Sequence, residues 1–238
     1  ETAVFPSLQP NQIIIWSFLL QQPAPRVRAL LALLNEDERA RASRFHFEQH
    51  RDFFIVGRGV LRQAIGRFLG IPPQTVRFAY GPQRKPELHP SQATLPLQFN
   101  LTHADGVALL ALGLDEPLGV DVEPVREMDD MDRVAAYSFS EREYSIFKET
   151  AVFSPHSQPQ TFFNCWTRKE AFIKAVGEGL TYPLAEFEVT LRPEAEASLV
   201  EIKGSAAEAA NWTMRHLVPA TNFVGALAVR QPGNELDC

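Results

Sequence analysis

Cysteine is nearly missing from this 238-residue chain, which holds only Cys165 and Cys238, neither with a neighbour at metal-ligand spacing. That excludes a disulfide framework and a cysteine-based zinc site, and it predicts a reduced, cytoplasmic protein. Long apolar runs are missing too. None approaches the ~20 residues that cross a bilayer, and no charged–apolar–small leader opens the sequence, so no membrane partner is expected. Aromatic residues do not interleave with the basic ones, and no nucleic-acid-binding motif is present, so nucleic acid is not an expected partner. No internal sequence repeat is convincing.

What is present is ordinary in bulk and uneven in detail. A content of 45% hydrophobic and 22% charged residues is that of a soluble globular chain, long enough for one domain or two small ones. The formal net charge is -6, yet residues 26–85 carry twelve of the 23 Lys/Arg and only five of the 29 Asp/Glu, a local balance of +7 against -13 elsewhere. Arg39, Arg41, Arg44, Arg51, Arg58, Arg62 and Arg67 fall within this stretch. Such a face attracts anions, and a polyphosphate ligand or an acidic protein fits it.

The local patterns predict a mixed α/β (α+β) protein. Ile13–Phe18 reads as a strand, followed by a turn at Pro23 and Pro25. Asn35 with Glu38 is a capping-box start for a helix to about Phe45, and a second helix runs from Gln49 to Phe68. Val76–Tyr80 reads as a strand and Gly81–Pro96 as a proline-rich loop. Thr102-His103 reads as a turn, Val107–Leu114 as a buried strand, and Leu118–Glu123 as its hairpin partner. An acidic loop covers Glu127–Asp132. Ser140 with Glu143 caps a helix of about ten residues, and Ala151–Gln160 reads as a loop. A helix from about Thr161 ends at Gly177, and Ala185–Leu191, Leu199–Ile202 and Phe223–Val229 are candidate strands.

Two short segments carry the chemistry. In Gly119-Val120-Asp121-Val122-Glu123, strand alternation sends both carboxylates to one side. In Trp166-Thr167-Arg168-Lys169-Glu170-Ala171-Phe172-Ile173-Lys174, helical spacing puts Glu170 and Lys174 on one face. Alone, each is a common surface feature. If the strand packs on the helix, three carboxylates and two lysines converge. Gathered carboxylates need a cation, and oxygen donors suit magnesium, leaving the lysines for phosphate. The combination points to a magnesium-dependent enzyme acting on a phosphoanhydride.

This pairing, with Trp166 placed 45 residues after Asp121, resembles the 4'-phosphopantetheinyl transferases of the surfactin-synthetase-activating (Sfp) type. Gly119-Val120-Asp121 and Trp166 through Lys174 satisfy every defined position of that family's two-part motif. Phe99-Asn100-Leu101-Thr102-His103 is similar to its Phe-Asn-x-Ser-His segment, with Thr for Ser, and Arg84-Lys85-Pro86 to its Gly-Lys-Pro loop, with Arg for Gly. Gly57-Arg58 with Leu61-Arg62, Phe139-Ser140-x-x-Glu143 and Gly177-x-Gly179-Leu180 also fit, so the similarity spans about residues 39–184.

The resemblance implies two similar subdomains related by a pseudo-twofold axis, each an antiparallel sheet packed with helices. Residues 1–115 would form the first and 116–238 the second. It implies transfer of the phosphopantetheine arm of coenzyme A to a serine of an apo acyl, peptidyl or aryl carrier protein, releasing 3',5'-ADP. Asp121, Glu123 and Glu170 would hold Mg2+, for which Mn2+ can substitute. Glu170 would also be the base, and Lys174 would neutralise the departing phosphate. Arg41, Arg58, Arg62, Lys85, Pro86, Thr102, His103 and Lys174 would contact coenzyme A, with a phosphate favouring the imidazolium form of His103. A monomer would suffice. Two alternatives stand beside this: a magnesium-dependent phosphohydrolase acting on coenzyme A or a nucleotide, and a non-catalytic module binding the carrier or the coenzyme.

Overall fold

The structure, a computed structural model, describes residues 8–9, 12–81 and 85–231. Arg84 and Cys238, singled out above, lie outside the described residues. The chain opens with strand β1 (Ile14–Leu19) and helices α1 (Ala24–Leu31), α2 (Glu36–Ala42) and α3 (Glu48–Leu69). The expected turn at Pro23 and Pro25 is the start of α1: Pro23 is its N-cap and Pro25 lies in the first turn. A missing N–H costs nothing there. Asn35 and Glu38 form the expected capping box, with Glu38 N donating to Asn35 Oδ1 at 2.9 Å and Asn35 N to Glu38 Oε2 at 3.1 Å. α3 ends at Gly70, whose φ of 66° is the left-handed cap that stops a helix.

Strands β2 (Phe78–Tyr80), β3 (Pro86–Leu88), β4 (Leu97–Ala104) and β5 (Val107–Leu114) complete the first half. The proline-rich loop expected over 81–96 contains β3, which pairs antiparallel with β2 as a short edge ribbon. Thr102 and His103 are strand rather than turn, paired with Leu109 and Ala108. The chain reverses one step later at Asp105-Gly106, with φ of 43° and 82°, the signature of a two-residue hairpin.

The second half runs β6 (Leu118–Pro124), α4 (Met131–Ser138), α5 (Glu141–Phe153), α6 (Gln158–Val176), β7 (Phe187–Val189), β8 (Leu199–Ile202), α7 (Ala206–Ala209), β9 (Thr213–Leu217) and β10 (Phe223–Val229). α4 begins inside the acidic segment expected to be loop. Most of the loop expected over 151–160 is helical, because α5 runs on to Phe153 and α6 starts at Gln158. The β5–β6 hairpin does not form. A strand has two edges, and β5 has already given its own to β1 and β4, so β6 pairs with β10 instead.

The sheets are ordered β1-β5-β4 and β6-β10-β9, both antiparallel. In each, the first strand of its half pairs with the last, and the last with the one before it. A long helix and then a two-stranded ribbon come between in both halves, so the chain repeats one topology. Alternation along β5 shows how the layers stack. Val107, Leu109 and Ala111 face the second sheet in a shared core with Leu118, Val120, Val122 and Leu227, while Ala108, Leu110 and Leu112 face the first-half helices. On the far side, Val224, Ala226 and Ala228 pack beneath α6 with Phe162 and Phe172. The result is two sheet–helix subdomains with their sheets face to face. Among the described residues, no helix is long and apolar enough to cross a membrane.

Candidate active site

β6 places Leu118, Val120 and Val122 in the core between the sheets, so Gly119, Asp121 and Glu123 face the other way. Gly119 is where β6 meets α6. A Cβ at that position would collide with the backbone of Ala171, Lys174 and Ala175, so only glycine lets strand and helix approach this closely. That contact fixes Asp121 two residues further along β6 against Lys174 on the last turn of α6.

The polar centre is a three-membered knot. Lys174 Nζ lies 2.5 Å from Asp121 Oδ1 and 3.2 Å from Thr102 Oγ1, and the Thr102 hydroxyl donates to the same carboxylate oxygen at 3.2 Å. β4 therefore contributes directly, with Thr102 turned toward β6. Asn100, two residues earlier on the same face, accepts a 2.9 Å hydrogen bond from Val120 N. Sequence reasoning gave Asn100 no role, although it lies within the Phe-Asn-x-Thr-His segment.

The three carboxylates are short of compensation. Asp121 Oδ2 is buried and has no hydrogen-bond partner. Burial raises the Asp121 pKa against the opposing pull of Lys174 and Thr102. Glu123 is pushed up to about 7, first by burial and then by the Asp121 charge. Burial likewise raises Glu170, with Lys174 opposing. An unpaired buried carboxylate oxygen beside two half-buried carboxylates is a donor set suited to a hard divalent cation. The donor chemistry suits magnesium, but among the described residues no three His, Cys, Asp or Glu side chains are gathered to hold an ion.

His103 points to the opposite face of β4, into a cleft of ≈ 510 Å³ whose polar lining is three arginines, Arg41, Arg44 and Arg58, with Asp37, Glu38 and Tyr80, over Phe53, Phe54, Leu61, Pro86 and Leu101. The Arg58 guanidinium lies 4.9 Å above the Phe78 ring, donates to Tyr80 Oη at 2.6 Å and pairs with Glu38 at 3.2 Å. Burial and the Lys174 ammonium lower the His103 pKa, so the ring is neutral at neutral pH until an anion joins it. A larger groove of ≈ 830 Å³, beside Tyr137, Trp166 and Tyr182, holds none of the carboxylates.

Two residues of the expected coenzyme set lie elsewhere. Arg62 is fully buried and does not line the cleft; it binds Glu38 at 2.6 Å and the carbonyls of Pro73 and Val76 at 3.1 and 2.9 Å. Lys85 donates to the carbonyls of Lys174 and Leu118 at 2.7 and 3.3 Å, with burial lowering its pKa. Lys169 does not face solvent. It is fully buried, 2.7 Å from Glu143 and 2.7 Å from the carbonyls of Leu184 and Phe187. The capping box drew attention to Glu143; nothing in the sequence marked it as the partner of Lys169.

Residues 117–228 match the family described as the 4'-phosphopantetheinyl transferase superfamily, and residues 22–113 match that described as 4'-phosphopantetheinyl transferase, N-terminal. The chain is 38% identical over 224 residues to the 4'-phosphopantetheinyl transferase HetI of Nostoc sp. strain PCC 7120, covering 94% of this chain and 90% of that protein. It is 31% identical over 167 residues to a putative 4'-phosphopantetheinyl transferase of Synechocystis sp., covering 70% and 65% respectively. It is 26% identical over 172 residues to the 4'-phosphopantetheinyl transferase Sfp of Bacillus subtilis strain 168, covering 71% of each.

Proposed function

The chain belongs to the 4'-phosphopantetheinyl transferase superfamily, as a member of the Sfp type, and on that premise we propose that it moves phosphopantetheine from coenzyme A to a serine of an apo carrier protein. The observation that carries this reading is the placement of Thr102 and His103. They are consecutive on β4 and face opposite ways, Thr102 into the Asp121–Lys174 knot and His103 into the basic cleft. A ligand lying along this edge of β4 has one end among arginines and the other among carboxylates. Coenzyme A, with a 3'-phosphate at one end of its nucleotide and a pyrophosphate at the other, has that pattern of charge.

Arg41 and Arg58 bind the 3'-phosphate and adenine end, because the planar guanidinium fork matches two phosphate oxygens. Pro86 closes the cleft wall there. His103 donates to the pyrophosphate and takes a proton as it does so. The serine hydroxyl attacks the phosphorus that bears pantetheine, the anhydride P–O bond breaks, and 3',5'-ADP departs. Glu170, its pKa raised by burial, accepts the serine proton. Lys174 turns from Asp121 to the leaving phosphate and offsets its charge. Asp121, Glu123 and Glu170 would hold magnesium, which supplies charge neutralisation on the pyrophosphate. Manganese satisfies the same donors. The exposed arginines of α2 attract an acidic carrier. Residues 1–115 and 116–238 act as two subdomains of one monomer, in a cytoplasmic setting.

The test is intact-protein mass spectrometry of apo acyl and peptidyl carrier proteins incubated with this protein, coenzyme A and magnesium, beside an EDTA control. A mass gain of one phosphopantetheine arm that disappears with EDTA supports transferase and metal together. Coenzyme A breakdown without any carrier would instead mark a phosphohydrolase.

A further inference from the structure

Lys85 is the basic side chain of the Arg-Lys-Pro segment that lies within the described residues, and its position is unexpected for a phosphate ligand. It comes from the first subdomain, immediately before β3, and crosses to the second. Its ammonium does not face the cleft. It meets the Lys174 carbonyl at 2.7 Å and the Leu118 carbonyl at 3.3 Å.

Both acceptors matter. Lys174 lies in the last turn of α6, which ends at Val176. Carbonyls of a final turn have no intrahelical donor, and they carry the negative end of the helix dipole. The left-handed Gly177 cap satisfies the Ile173 carbonyl through its own N–H, at 2.9 Å, and leaves the Lys174 carbonyl to another donor. Lys85 is that donor. Leu118 begins β6, one residue before the Gly119 contact with α6. One ammonium therefore ties the end of the motif helix to the start of the motif strand. Its neighbour Pro86 lines the basic cleft.

We propose that Lys85 is a positioning residue, a helix cap supplied across the subdomain boundary that holds Lys174 in register with Asp121 and does not itself bind coenzyme A phosphate. The inference rests on the transferase reading for the role of Lys174, but the cap itself can be tested without activity. With the cap removed, the last turn of α6 frays, and the Lys174 side chain is presented less often to the pyrophosphate. Ground-state binding in the cleft is untouched.

The experiment compares wild type with Lys85→Met and Lys85→Arg. Steady-state transfer to one carrier protein should show kcat for Lys85→Met reduced about tenfold, as expected for a misplaced catalytic group, with the KM for coenzyme A changed less than about twofold. Lys85→Arg, which keeps a donor, should recover part of kcat. Calorimetric titration should give an unchanged Kd for coenzyme A and an unchanged salt dependence. Amide exchange over 175–179 should speed up in Lys85→Met, while that over 162–168 should not. A rise in Kd with a shallower salt slope, at constant kcat, would overturn the proposal in favour of a phosphate contact. Unaltered exchange over 175–179 would overturn it equally. The exchange arm still decides the question if wild type transfers nothing, an outcome that would sink the functional reading and leave the cap standing or falling alone. Should Lys85→Met fail to fold, exchange and kinetics in Lys85→Ala, which likewise has no side-chain donor, serve the same purpose.

Discussion

The two halves of the molecule anchor their long helices in the same way and use them for different ends. In the first, capping-box Glu38 binds Arg62 of α3, and Arg62 in turn holds the carbonyls of Pro73 and Val76 beneath the Phe78 ring, 5.3 Å away. In the second, capping-box Glu143 binds Lys169 of α6, and Lys169 holds the carbonyls of Leu184 and Phe187 with the Phe187 ring 4.3 Å away. Each basic residue stands eight places before a left-handed terminal glycine, Arg62 before Gly70 and Lys169 before Gly177. One buried anchor has thus been built twice. The alignment makes Gln63 the counterpart of Glu170 and Arg67 that of Lys174. The first half has no carboxylate at the position where the second proposes its base, and it presents arginines to a cleft instead. Charge, rather than backbone, separates the half proposed to bind from the half proposed to react.

The sharpest way to break the comparison is at its one-residue difference. Glu170→Gln should lower kcat for carrier modification by about 10²–10⁴-fold, the range for a lost general base. Gln63→Glu should leave it within about twofold, as a substitution away from the reacting atoms. Full activity in Glu170→Gln, read by mass spectrometry, would falsify the mechanism.

The anchors themselves should behave as equals. Arg62→Met and Lys169→Met each take the shorter-held cation from a buried carboxylate, Glu38 keeping Arg58 at 3.2 Å, and each should cost about 3–5 kcal/mol in urea unfolding. Glu38→Gln or Glu143→Gln added to the respective variant should return part of that loss. A large cost on one side alone would show that the likeness is only geometric.

On the binding side, His103→Ala and Arg58→Met should each raise the KM for coenzyme A about tenfold, the size of one charge-assisted hydrogen bond, and Arg58→Met should flatten its salt dependence. A kcat effect without a KM effect would move these residues to the reacting half.

The smallest effect is in pH. The folded pKa of Glu123, about 7, lies above its ordinary 4.5. The folded state therefore holds the proton more tightly than the unfolded chain does. This contribution to stability is complete below the ordinary pKa and is lost as pH rises through the folded value. In EDTA, the thermal midpoint of wild type should fall relative to Glu123→Gln between about pH 5 and 8. Parallel curves would show that Glu123 is not held in its acid form.

How much of this could be read from the chain depended on whether the signal was local. Asn35 with Glu38, Ser140 with Glu143, and the apolar spacing that ends at Gly177 are contained within a few residues, and the structure has all three. The convergence of Asp121 with Lys174 was legible because alternation and helical period each fix a face. Helix α1 was hidden by prolines, which suit a first turn as well as a loop. The β5–β6 pairing failed because connection length says nothing about which strand edges are already taken. The internal partners of Arg62, Lys169 and Lys85 were not legible for one reason: a basic side chain is expected in solvent or on an anion. Their actual partners are backbone carbonyls and capping carboxylates fixed only by the tertiary fold. The internal repeat escaped notice because its matching residues differ in kind, Arg for Lys and Gln for Glu.

The missing side chain of Gly119 also bears on how such an enzyme could be engineered. Any larger residue would lift α6 off β6 and carry Glu170 and Lys174 away from Asp121 in one movement. A library randomised at that position and selected for transfer should return glycine alone, so a search for new carrier preferences has its freedom in the loops and on the α2 surface, and none at the junction of the two motif segments.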